Sequence, residues 1–366
     1  MPKTLNPADV LKGYSPLILT ATLEPVAGDR FQPAGFPEIG HVIYKAPRKN
    51  GTVEQVCIVD SAASMANHLE SVCQRGAHDL DLVEELNGLP HIRCVTNASE
   101  GAEPTQHREV VVTSLTEGHR IASSYFLDGY PLAGDKKATG KFDQDLISKF
   151  GIVLPNPKGK KAHPPASQWW KVFKTIFALD PNSLVHGVLF PQWQIKIPRA
   201  LTAHLEAFGA GRVDRSGVKF DRLRKTTSGQ PIFAADDATA ESMRATFVLD
   251  VSLIRSFGRR KGAEQLGISD KHQELLVALA LWKVQKLLEQ PFRYRSGCHL
   301  RRTALQSEGE DIVLAVNIQD AITVAGFGEQ GITDVFWPRE ELYREGAESG
   351  DKPQEDDDGS EGEDDE

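Results

Sequence analysis

The side chains of this chain best suited to chemistry are its cations. They gather at Lys158, Lys160 and Lys161, at Arg222, Arg224 and Lys225, at Arg255, Arg259, Arg260 and Lys261, and at Arg293, Arg295, Arg301 and Arg302. The last two groups hold no acid within their spans, whereas a merely solvated face mixes signs, so they point to an anionic partner. Lys, Arg and helix N-termini grip phosphates without reading bases. A helix start is expected at Asp60–Glu70, DSAASMANHLE, directly after the apolar run Val56–Val59. Ser61 is its N-cap, Met65, Leu69 and Val72 recur at helical spacing, and Ser64, Asn67 and His68 fall on the other face. The free N–H groups and partial positive charge of such a start suit a phosphate. The same spacing also describes an ordinary amphipathic helix with a solvated face.

Signatures of catalysis are scarce. There is no G-x-S-x-G, no H-E-x-x-H and no P-loop. GFGEQG at Gly326–Gly331 has the dinucleotide spacing but closes an expected helix, Ile318–Ala325, and reads as a C-cap and turn. Nothing pairs His91, His107, His119 or His186 into an acid-base couple. Cys57, Cys73, Cys94 and Cys298 form no C-x-x-C pair and read as reduced, mostly buried thiols. His68, Cys73 and His78 fit no common zinc spacing, so neither metal nor cofactor is expected.

Leu17–Leu23 alternates apolar and polar residues between Pro16 and Pro25 and is the expected first strand of a core sheet. Asn50-Gly51, between the extended runs His41–Tyr44 and Val53–Val59, predicts a hairpin with Arg48 and Lys49 near its tip, either thumb-like or an ordinary surface hairpin. Helices are expected at Leu82–Leu86, His119–Leu127, Phe142–Phe150, Ser167–Leu179, Arg199–Phe208 and Asp270–Glu289, and extended chain at Pro90–Thr96, Ser183–Phe190 and Ala245–Leu253. Trp169, Trp170, Phe173 and Phe177 are spaced for core packing rather than base stacking. Pro155–Pro165, PNPKGKKAHPP, cannot be a core element and is the candidate basic finger. Strands alternating with packed helices make the fold class α+β.

The 366 residues, 40% of them hydrophobic, suffice for one large domain or two moderate ones. No stretch approaches the ~20 apolar residues of a membrane span, and MPKTLNPADV lacks a signal-peptide core, which predicts a cytoplasmic protein. The net charge of -9 hides an asymmetry: from Glu341 to Glu366, thirteen Asp or Glu against Arg344 and Lys352 contribute -11, leaving +2 for residues 1–340. The acidic tail, 341–366, is too charged and too poor in apolar residues to fold. It reads as a solubilising extension or as a polyanion that competes with nucleic acid for the basic body.

Four blocks carry a resemblance to a known family. The Asp60–Glu70 run is similar to its D-S-x-x-S-x-A-N-R-L-E signature. Gly187-Val188 followed by Lys196–Leu201, KIPRAL, matches its G-V-W and K-x-P-R-A-L. Glu117–Ala122, EGHRIA, is like its A-P-H-R-x-x-D helix start. Arg244–Phe257 followed by Leu275–Glu289 completes the series in matching order. The family is the CRISPR-associated repeat-associated mysterious proteins (RAMP) of subtype I-G, formerly I-U, the Cas-seven-type backbone subunit called Csb-one. Two positions depart from it: His68 stands where Arg is usual, making charge there depend on pH, and Leu189–Gln194, LFPQWQ, lacks the family's Trp-x-Ser and Gly-rich spacing.

The resemblance implies a single modified RRM-like, ferredoxin-like palm over residues 1–340, with a hairpin insertion at 26–57 and a helical finger insertion at 128–182. It implies a non-catalytic subunit that binds CRISPR RNA and polymerises head to tail along it, because a heterologous interface that does not close generates a helix. Its contacts would be Arg48, Lys49, Ser64, Asn67, His68, Lys158, Lys160, Lys161, Lys196, Arg199, Arg222, Arg224, Lys225, Arg259, Arg260 and Lys261. Implied partners are the guide, target DNA by pairing with it, other copies of the chain, a Cas-five-like subunit and a recruited helicase-nuclease. Two rivals remain open: an endoribonuclease that processes guides or cleaves target RNA, and a general single-strand-binding protein, which would add exposed aromatics for stacking.

Overall fold

Leu17–Pro25 (β1) buries Leu17, Leu19, Ala21 and Leu23 and turns the residues between them away from the core, the period-two pattern of a strand with one packed face. The computed structural model describes residues 2–36, 40–76, 78–152, 165–213, 237–328 and 331–344. The expected hairpin forms from Ile43–Pro47 (β2) and Val53–Asp60 (β3), with Pro47 opposite Val53 and Gly51 at φ 82°, a conformation that favours glycine. It extends the central sheet at its edge, with β3 pairing to β4 over Val56–Asp60 and the stretch nearer the tip paired only within the hairpin. The helix Ala62–Ser71 (α1) follows β3 directly.

Further along lie Trp169–Leu179 (α2), Pro181–His186 (α3), the strands Leu201–Phe208 (β4) and Ser242–Leu249 (β5), the helix Asp270–Glu289 (α4) and the strand Cys298–Ser307 (β6). The nine-stranded sheet runs Lys3–Leu5, Glu310–Leu314, β6, β1, β5, β4, β3, β2, with Phe292–Arg295 also paired to β6. Its middle, β6-β1-β5-β4, is antiparallel throughout. In the chain, α1 lies between β1 and β4, and α4 between β5 and β6. Ten consecutive residues of α4, Leu275–Val284, are buried, as expected of a central helix. A second sheet of five strands is built around His91–Asn97 and Ile332–Phe336, paired in parallel.

Several expectations need correction. Arg199–Phe208 is not helical: β4 buries Leu201, Ala203, Leu205 and Ala207 alternately and pairs with both β5 and β3. Ser183–His186 belongs to helix α3, and only Val188–Phe190 is extended. The Ala245–Leu253 run divides at Asp250, which caps a short helix, Val251–Ser256. His119–Leu127 divides into a 3-10 turn, Arg120–Ala122, and a helix, Ser124–Leu127. Leu82–Leu86 is a strand end followed by a 3-10 turn. The short strand Lys3–Leu5 precedes the expected first strand. Phe142–Phe150 and Asp270–Glu289 form as expected, and all four cysteines are buried. The basic finger, apart from Pro165, and the tail from 345 lie outside the described residues, as do Lys158, Lys160, Lys161, Arg222, Arg224 and Lys225. Among the described residues no helix is long and apolar enough to cross a membrane.

Candidate nucleic-acid interface

Ser61 caps α1 as its sequence predicts, its hydroxyl accepting the Ser64 N–H at 3.2 Å. The helix start is nevertheless not free for a phosphate, because Asp60 supplies an anion of its own. Its carboxylate accepts the Ser61 N–H at 3.0 Å and meets Arg295 at 2.9 Å and His68 Nε2 at 2.8 Å. Burial alone would push this carboxyl up, but the His68 hydrogen bond and the Arg295 charge outweigh it and hold it below its usual range. His68 is turned inward, its ring edge-on to Phe292 and Tyr294 at 5.3 Å each, with 17% of the side chain exposed. Ser64 Oγ lies 3.3 Å from the same Nε2 that meets Asp60. A hydroxyl-imidazole-carboxylate relay uses opposite ring nitrogens, so these three groups do not make one. Of the three polar positions Asn67 is exposed, and Ser64 and His68 are half-buried.

One turn further on, Glu70 is buried and gripped in a fork by Arg120, Nε to Oε1 at 2.8 Å and Nη2 to Oε2 at 2.7 Å. Arg120 Nη1 also donates to the carbonyls of Gly118 and Gly187, each at 3.3 Å, so one guanidinium ties three chain segments together. Its backbone sits at φ 54°, uncommon for a non-glycine residue. Beneath it, Asn182 donates to Glu70 Oε1 at 2.6 Å and accepts from the fully buried Lys283 of α4. Asp180, also fully buried, accepts from Ser183 Oγ at 2.6 Å, and burial pushes its carboxyl up to about 6. His186 is held neutral, its pKa driven well down by burial and then by the charges of Lys283, Arg120 and Arg199, and neither ring nitrogen has a hydrogen-bond partner among the described residues.

Above this buried layer opens a cleft of about 380 Å³ whose walls are Gly118–Arg120, His186–Leu189 and Lys196–Arg199. The hairpin Val188–Phe190 with Ile195–Ile197 sets Leu189 opposite Lys196, both exposed. Gly187, at φ 80°, is needed where a Cβ would stand 2.8 Å from the Ile197 carbonyl oxygen. Arg199 Nη1 reaches back to the Ala62 carbonyl of α1 at 3.3 Å. Asn67 lines an adjoining cleft that shares Gly118. Three of the four sequence blocks therefore meet at one place. The larger cleft is lined by Arg120, Lys196, Arg199 and two histidines with no acid, whereas four other clefts among the described residues each carry at least two carboxylates.

The remaining expected contacts lie elsewhere on the fold. Arg48 pairs with Glu54 and lies 5.5 Å over the Phe208 ring, while Lys49 is exposed at the hairpin tip. Arg259, Arg260 and Lys261 form a strand, Gly258–Lys261, paired with Glu264–Gly267. There Arg259 covers Trp170 at 5.6 Å, Arg260 approaches Asp270 at 3.9 Å and Lys261 stands opposite Glu264. Arg255 and Arg301 are engaged by the Leu11 carbonyl at 2.7 Å and by Glu24 at 2.6 Å. Glu70, Asn182 and Lys283 were not expected at a site. Their signal is positional, since Glu70 falls on the apolar face of α1 and Lys283 interrupts the apolar run LLVALALWKV.

Residues 17–212 match the family model described as CRISPR-associated protein GSU0053. The chain belongs to that family. The matched span takes in the whole of α1 and every residue lining the cationic cleft, while Lys283 and Arg295, which brace the layer beneath and the start of α1, lie beyond it. No curated protein matches significantly. Among solved structures the chain is similar to Csc2 of Thermofilum pendens, with 11% identity, coverage of 88% of this chain and 75% of that one, and a TM-score of 0.33. It is also similar to a chain of a CRISPR RNA-guided surveillance complex in a pre-nicking state, with 9% identity, coverage of 82% and 78%, and a TM-score of 0.37. Likeness at that distance fixes neither a function nor a site.

Proposed function

We propose that this GSU0053-family protein is a Cas-seven-type backbone subunit of a subtype I-G surveillance complex, built on a ferredoxin-like palm, that binds CRISPR RNA through its sugar-phosphate chain. The observation that carries the reading is the acid-free cationic cleft where the Asp60–Glu70, Glu117–Ala122 and Gly187–Leu201 stretches converge. The strand order β6-β1-β5-β4, with one helix after the first chain segment and one before the last, supports the palm. Lys196 and Arg199 supply phosphate contacts that ignore base identity, which any guide-carrying subunit requires because sequence reading is left to pairing.

Copies of the chain assemble head to tail on the guide, with a Cas-five-like subunit at one end, and the target DNA is cut by a separately recruited helicase-nuclease. The subunit itself presents the guide and does not cut, a reading supported by the shared nitrogen at Ser64, His68 and Asp60 and by the enclosure of His186. Charge reversal, Lys196→Glu with Arg199→Glu, tests this by filter binding across several spacer sequences. The expected loss is uniform, with a salt dependence shallower by about 0.7 in log-log slope for each phosphate contact removed. Undiminished binding, or a loss confined to one spacer, overturns the assignment of the cleft. RNA cleavage by the purified chain, abolished by His119→Ala, overturns the non-catalytic role.

A further inference from the structure

We propose that the acidic C-terminal run, residues 345–366, docks on the cationic cleft of its own chain when no nucleic acid is bound. Twelve Asp or Glu and one Lys give this run a charge of -11. The cleft offers the complementary surface: Lys196 and Arg199 are exposed, neither pairs with a carboxylate among the described residues, and no acid lines the walls around them. Of the expected contacts among the described residues, Arg259, Arg260 and Lys261 already face Trp170, Asp270 and Glu264, and Arg48 faces Glu54.

Reach is no obstacle. Twenty-two residues span up to about 70 Å when extended, while a body of this size has a radius of gyration of about 20 Å. A segment tethered in this way presents its carboxylates at about millimolar effective concentration. A polyanion bound through charge alone is displaced by a strand that adds more phosphates, and it resists ligands that contact only a few. The consequence depends on the guide-binding reading above, because the docked tail then discourages arbitrary RNA more than a full-length guide, while the docking itself is observable without RNA.

Zero-length carbodiimide coupling of the full chain, followed by peptide mass spectrometry, reads the contact directly. At about 0.05 M salt the dominant amide from residues 345–366 is expected at Lys196 Nζ, and it disappears near 0.5 M salt, where the Debye length is only about 4 Å. Changing Glu355→Gln, Asp356→Asn, Asp357→Asn and Asp358→Asn weakens that amide and raises affinity for arbitrary single-stranded RNA about 3- to 10-fold at low salt. Amides spread over Lys3, Lys12, Lys45 and Lys171 in proportion to exposure, or affinity unchanged by the four substitutions in a protein that does bind RNA, overturn the docking. A dominant Lys196 amide in a protein that binds no RNA upholds the docking and overturns the guide-binding role instead.

Discussion

Arg120→Met is the most informative single change, because Arg120 is placed as a clamp and not as a phosphate contact. Its side chain is 7% exposed and that of Glu70 4%, and their two bonds, at 2.8 and 2.7 Å, are the shortest that Arg120 makes. Removing the guanidinium leaves the Glu70 carboxylate buried with Asn182 as its remaining side-chain donor among the described residues. Breaking one side of a buried pair costs about 3–5 kcal/mol, since the survivor keeps its desolvation penalty without its partner. The two carbonyl contacts at 3.3 Å add little, and relaxing φ 54° returns none of the loss because Met is no more at ease there than Arg. With an unfolding entropy of about 2.1 cal/mol/K per residue, a body of about 340 residues loses about 0.7 kcal/mol per degree near its midpoint, so the melting temperature falls by about 4–7 °C. Thermal denaturation followed by circular dichroism measures this. The double variant Arg120→Met, Glu70→Gln removes both charges and recovers more than half of the loss. A single variant within about 1 kcal/mol of the parent, or a double variant no better than the single, refutes the view that an uncompensated Glu70 charge dominates.

The pH dependence follows from Asp180. Its carboxyl is raised to about 6 from an ordinary 3.8, so the folded state binds the proton more tightly than the unfolded chain, and ionisation costs up to about 3 kcal/mol above pH 6. That cost is relieved as the pH falls through 6 toward 4. Asp180→Asn, which keeps an acceptor for Ser183, raises the melting temperature at pH 8, with an advantage that shrinks through pH 6 and vanishes near pH 4; an advantage independent of pH contradicts the burial argument. Gly187→Ala places a methyl 2.8 Å from the Ile197 carbonyl oxygen at φ 80°, so it lowers the melting temperature and weakens RNA binding together, whereas a loss of binding at full stability points to a direct ligand contact at Gly187. Charge reversal at Arg259 and Arg260 reports whether their hairpin belongs to the RNA path: a uniform, salt-flattened loss across spacers in filter binding includes it, and unchanged binding leaves Lys196 and Arg199 as the cleft's own contacts.

What the sequence made legible, and what it hid, divides along the source of the energy. Local rules sufficed for Asn50-Gly51, for the Ser61 cap and for Phe142–Phe150, because turn chemistry, capping and helical spacing act within a few residues. They failed at β4, where Ala and Leu favour helix but pairing to β5 and β3 decides; the alternation of Leu201, Ala203, Leu205 and Ala207 was the better signal. They failed at α3 because all six of its residues are buried, which erases any polar-apolar period. The site divides in the same way. Lys196 and Arg199 belong to none of the cation clusters and were reached only through the resemblance of KIPRAL, while Glu70, Arg120, Asn182 and Lys283 lie far apart in the chain and gain their roles only by burial together. Burial also decides which charges can do what: a guanidinium forked on a buried carboxylate is spent on holding Gly118 and Gly187 in place, so the cations left to meet a phosphate are those whose partners are carbonyls or solvent. Under the proposed reading Arg120 shapes the cleft while Lys196 and Arg199 meet the phosphates, and Arg120→Lys, which keeps the charge but loses the fork, is expected to lower stability more than it alters the salt slope of RNA binding. Stability retained with a shallower slope reverses that division of labour.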